Sequence, residues 1–156
     1  MRKIIDKILE NIAVLLITAM ICVASWQVLS RYIFKSPSTF SEEFLRFSII
    51  WLSMLGIAYV FGKNQHISID FLKRKFTIKE RFSLELLIII IFTLFSAVIM
   101  IGGGVHAVAM STKQISPSLG IPMAYVYLSL PVSGIFIILY SILNILDLKN
   151  KYNELI

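Results

Sequence analysis

The sequence predicts an all-α integral membrane protein with four transmembrane helices, and three observations carry that prediction. Of the 156 residues, 58% are hydrophobic and the mean hydropathy is +0.85. Only 15% are charged, where a soluble domain holds about a quarter. The apolar residues form four continuous runs, each close to the roughly 20 residues that a helix needs to cross a bilayer. Unbroken runs rather than alternating ones argue against a β-barrel. The length suits one membrane domain, residues 1–156, with no room for a soluble catalytic domain beside it.

The first span is expected at about 12–33, in "MRKIIDKILENIAVLLITAMICVASWQVLSRYI". Basic residues ahead of an apolar run resemble a signal peptide. However, the uncharged run from Asn11 to Ser30 has spanning length and no A-x-A site follows, so it reads as a retained helix. The single cysteine, Cys22, lies in this run; without a partner it reads as a small hydrophobe. The second span is expected at about 42–62, after "STFSEEFLR". Thr39 and Glu42 have the spacing of a capping box, and Ser38 or Ser41 can also cap. Glu42 and Glu43 suit the positive end of the helix dipole. Either carboxylate can pair with Arg46, at i,i+4 or i,i+3. Two compatible readings stand: a helix cap at headgroup level, and a cluster that fixes this helix against a neighbouring subunit.

Between the second and third helices, "HISIDFLKRKF" puts Ile67, Phe71 and Leu72 on one side, next to Lys73, Arg74 and Lys75. That suits a short amphipathic segment lying on anionic lipid headgroups. Thr77 and Glu80 repeat the capping-box spacing, so the third span is expected at about 78–109. Extended to Thr112 it is about 50 Å long at 1.5 Å per residue, which requires tilt or protrusion. Gly102-Gly103-Gly104 interrupts it. With no βαβ context this is no phosphate loop, and it reads as a site of close packing or local flexibility. Pro117, Gly120 and Pro122 favour turns in the next loop. The fourth span is expected at about 124–146, kinked at Pro131. Tyr125 and Tyr127 suit an interfacial aromatic belt, and Trp51 is placed deeper, where it can pack against a partner.

Charge placement sets the topology. Arg2, Lys3 and Lys7 precede the first span. Lys63, Lys73, Arg74, Lys75, Lys79 and Arg81 lie between the second and third, and Lys149 and Lys151 follow the fourth. Only Arg31, Lys35, Arg46 and Lys113 fall on the other side. The positive-inside rule therefore puts both termini and the middle loop in the cytoplasm. The net charge of +6 belongs to these flanks and does not point to nucleic acid. Between the span ends there is almost no ionisable group, whereas ion-coupled carriers place such groups or broken helices at mid-depth. His66 and His106 fall at opposite ends of the membrane and lack metal-ligand spacing. No nucleophile has its base nearby. The reading is a scaffold, with no enzyme activity, no cofactor and no metal.

"SEEFLRFSIIWLSMLGIAYVFGKNQHISIDFL" and "LGIPMAYVYLSLPVSG" resemble the small membrane subunit of tripartite ATP-independent periplasmic (TRAP) transporters. The resemblance covers nearly the whole chain and leans somewhat toward the sialic-acid branch over the dicarboxylate branch. Phe40 stands where family members often carry Trp. The resemblance implies a bacterial inner-membrane scaffold of a sodium-driven symporter for organic acids. Its implied partners are a large membrane subunit, which moves the solute, and a periplasmic substrate-binding protein. Glu42, Glu43, Arg46, Gly56, His66 and Asp70 match the family pattern and are assigned, with Trp51, to the large-subunit interface. Arg31, Lys35 and Lys113 are assigned to docking of the binding protein, with an ordinary headgroup-level arginine as the competing reading of Arg31. Two other readings remain: a self-sufficient homo-oligomeric small transporter, and a membrane anchor for a redox enzyme using His66 and His106.

Overall fold

A computed structural model describes residues 2–36, 38–63 and 78–153. His66, Asp70, the amphipathic segment and the Thr77 cap lie outside the described residues. The described chain is helical, and four of its helices are long and apolar enough to cross a membrane.

Helix α1 runs Arg2–Tyr32, about 46 Å at the α-helical rise. It begins ten residues ahead of the apolar run, because the charged N-terminal turns continue the same helix. Helix α2 runs Thr39–Gly62, and its cap is Ser38, whose side chain accepts from the Ser41 amide. Ser38 therefore fills the role for which Thr39 and Ser41 also had the chemistry. The third span is described from Ile78 onward. It consists of α3 (Ile78–Phe95), a π-helical stretch (Ser96–Gly103) and α4 (Gly104–Ser111). The fourth is a short α5 (Ala124–Tyr127) followed by α6 (Ser129–Asn153). The fourth span is interrupted next to Pro131, whose ring and missing N–H act on the carbonyl of Tyr127 four residues earlier. The break falls at Leu128, and Pro131 is the third residue of the helix that follows it.

Helices α2 and α6 form the centre; α1 packs along α2, while α3 and the π-helical stretch pack along α6. The core holds Leu9, Leu55, Ala58, Phe61, Met100, Ile137 and Tyr140. Small hydroxyl residues are buried among them, and they allow close helix approach in a bilayer. Ser133 and Ser141 donate to carbonyls one turn back, at 2.6 and 2.9 Å. Ser96 instead crosses between spans to donate to the Gly134 carbonyl at 2.8 Å. The glycine triplet divides in function. A Cβ on Gly104 would lie 2.8 Å from Pro131 Cδ, while one on Gly103 would meet nothing within 4 Å. Gly104 is the packing glycine, and Gly103 faces outward.

Candidate interaction surfaces at the two ends of the bundle

The ends of the bundle carry its polar chemistry. At the end holding both termini, α1 supplies Asp6 and Glu10, one helical turn apart on one face. Helix α2 answers with Tyr59 and Lys63 at the same spacing. Tyr59 donates its hydroxyl to Glu10 at 2.6 Å. Lys63 Nζ lies 3.2 Å from Asp6 and 3.8 Å from Glu10. The Tyr59 hydroxyl and the Asp6 carboxylate raise the Lys63 ammonium above its ordinary value. From α6, the buried Tyr140 donates to the other Asp6 oxygen at 2.6 Å.

The carbonyls that end α2 lack intrahelical partners, as at any helix C-terminus. The Phe61 carbonyl accepts from Asn144 Nδ2 at 3.2 Å. The Gly62 carbonyl accepts from Arg2, whose guanidinium also pairs with Asp147. A cation there also complements the negative end of the helix dipole. Three spans are thus tied through one polar cluster. In the sequence its readable signal is the two i,i+4 pairs Asp6/Glu10 and Tyr59/Lys63, which only the fold brings together.

The opposite end is built around Glu43. Its carboxylate accepts from the Ser116 hydroxyl at 2.5 Å, the Ser118 amide at 2.9 Å and the Leu119 amide at 2.8 Å. The loop after α4 is prepared for this. Ile115 bridges to Pro122, the Ser116 amide donates to the Ile121 carbonyl, and Gly120 takes a left-handed φ of 65°. Two successive amides turned toward one point make an anion-accepting concavity. Glu43 fills it from another span. Trp51 also bonds within the chain, with its indole N–H donating to the Tyr125 carbonyl at 3.1 Å. Glu42 pairs with Arg46 at 3.3 Å, and both are exposed.

The cations read as docking residues are all exposed at this end. Arg31 lies in the last turn of α1 and lines a shallow cleft with Gln27, Ser38, Thr39 and Glu42. Lys35 turns the chain toward α2 with a φ of 50°. Lys113 lies two residues past Ser111, where the third span ends. His106 is exposed about a turn and a half from the end of that span. Among the described residues no three His, Cys, Asp or Glu side chains gather as metal ligands.

Residues 20–150 match the family described as tripartite ATP-independent periplasmic transporters, DctQ component. The chain belongs to this family. It is therefore a component of a transporter rather than an enzyme, and a multi-pass membrane protein. It is 32% identical to the sialic acid TRAP transporter small permease protein SiaQ of Vibrio cholerae over 148 residues, covering 95% of this chain and 85% of that protein. It is also 31% identical to the sialic acid TRAP transporter permease protein SiaT of Haemophilus influenzae over 140 residues. That match takes in 85% of this chain but only 21% of SiaT. In SiaT, a segment similar to the present chain is therefore continuous with a much longer polypeptide.

Proposed function

We propose that this DctQ-family chain is the small scaffold subunit of a sodium-driven TRAP transporter for organic acids. It packs against a large membrane subunit and helps to dock a periplasmic substrate-binding protein. The family match over residues 20–150 is the observation that carries this reading. Its physical support is the placement of charge. The ionisable side chains named above sit toward the two ends, and Arg2, Asp6, Glu10, Glu43 and Lys63 among them bind neighbouring spans, so among the described residues the middle of the bundle offers a transported anion no charged ligand. The likeness to SiaQ favours an acidic sugar as the solute. In this reading the chain lies in a bacterial inner membrane, and the excess of Lys and Arg at the end with both termini supports a cytoplasmic position for that end. Arg31, Lys35 and Lys113 then face the periplasm, where exposed cations steer an acidic surface of the binding protein. Glu42, Arg46 and Gly56 are the described, outward-accessible members of the large-subunit assignment. Glu43 and Trp51 support that surface from inside the chain.

The deciding experiment is sialic acid uptake into vesicles holding the large subunit and the binding protein, with and without this chain. Uptake is expected only when this chain is present. Undiminished uptake in its absence overturns the scaffold role, and accumulation by this chain alone overturns it more completely. Arg31→Glu is expected to lower uptake several-fold at subsaturating binding protein while the membrane complex still copurifies, and to do so less as salt is raised. Unchanged uptake at low salt refutes the docking assignment.

A further inference from the structure

Helices α2 and α3 diverge on one side of the bundle and leave a groove of about 450 Å³ lined by Ser53, Gly56, Ile57, Val60, Phe61 and Phe92. We infer that this groove seats an apolar transmembrane helix of the large subunit. The inference rests on the scaffold reading above and names the surface that the reading leaves unspecified.

Four observations point to such an occupant. Ser53, Gly56, Ile57 and Val60 recur at i, i+3, i+4 and i+7, so one continuous strip of α2 forms a wall. The lining carries no charge and starts from the end of α2 that holds both termini, so it lies in hydrocarbon and excludes a water-soluble partner. A Cβ added to Gly56 would meet nothing within 4 Å. The bundle therefore does not need glycine there for its own packing, although an incoming backbone would. Finally, the side-chain hydroxyl of Ser53 makes no hydrogen bond among the described residues. Thr18, Ser25 and Thr93, also on span surfaces, each return their hydroxyl to the carbonyl one turn earlier. An open hydroxyl in an apolar groove suits a partner helix with a polar atom at that depth better than it suits a lipid chain. The match to SiaT supplies the class of occupant. In that permease a segment like this chain is continuous with a polypeptide several times longer, so the neighbour nearest to hand is more of the same membrane protein.

The test uses the tagged full chain expressed with its large subunit and purified in mild detergent. Gly56→Trp is expected to lower the recovered large subunit about tenfold or more, because an indole fills the space meant for a backbone. Val14→Trp and Gly103→Trp, on other outward faces, are expected to retain it. If the wild-type chain recovers no large subunit, the scaffold reading itself fails. If the wild type recovers it and Gly56→Trp does so equally, the scaffold reading stands and the groove assignment falls. Should Gly56→Trp fail to insert, the decision passes to Ser53→Cys carrying a photo-crosslinker, in a chain whose exposed Cys22 is replaced by alanine. An adduct with the large subunit supports the groove. An adduct only with a second copy of this chain, or only with lipid, overturns it.

Discussion

Gly62→Ala is expected to destabilise the bundle by about 3 kcal/mol, as overpacking of a tight core does. A Cβ on Gly62 would lie 2.5 Å from Tyr140 Cδ1 and Cε1 and 2.6 Å from Cζ, well inside contact distance. The ring cannot swing clear, because Tyr140 is fully buried and its hydroxyl is held by Asp6. Relief would separate α2 from α6, and that motion would also pull the Phe61 and Gly62 carbonyls away from Asn144 and Arg2. Unfolding in mixed micelles of rising SDS content provides the measurement. The matched control is Gly103→Ala, which meets nothing within 4 Å and is expected to leave stability equal or improved by about 0.5–1 kcal/mol. Equal stabilities for Gly62→Ala and the wild type would show that the α2–α6 contact is looser than described.

Glu43→Ala is expected to release the loop between the third and fourth spans. The carboxylate is the common acceptor for Ser116, Ser118 and Leu119, and charge-assisted bonds of this kind are roughly twice as strong as neutral ones. Without it, two amides and a buried hydroxyl lose their shared partner together. Amide exchange at Ser118 and Leu119 should then accelerate by about tenfold or more, and trypsin added from that side should cut after the exposed Lys113. Glu43→Gln keeps the shape and one acceptor oxygen, and should fall between the two. If exchange at both amides is unchanged in Glu43→Ala, the loop is held by its Ile115–Pro122 bridge and Gly120 turn alone. The variant also separates two roles at this end: loop release should impair docking of a binding protein without releasing the large subunit.

The four apolar runs were legible because crossing hydrocarbon imposes length and composition on a segment whatever its neighbours are. The cap of α2 was legible for the same local reason, since Ser38 stands among the Ser, Thr and Glu residues that suit a helix start. The interruption of the fourth span was legible from Pro131, because a proline disrupts the helix three to four residues before itself, and the break does fall at Leu128. The Glu43 cluster was read as a cap with an arginine partner. Local spacing shows Arg46 four residues from Glu42, but it cannot show Ser116, which lies 73 residues from Glu43.

The all-α class, the four crossings and the scarcity of charge at mid-depth follow from the order of residues alone, since solvation by lipid acts on each segment separately. Which polar groups are occupied within the chain, and which faces stay open, follows only from how the helices pack. Arg2, Asp6, Glu43 and Trp51 find their partners on other spans, and the groove beside Gly56 exists only because α2 and α3 diverge. Such pairings depend on how helices far apart in the chain come together, and no local spacing rule contains that information.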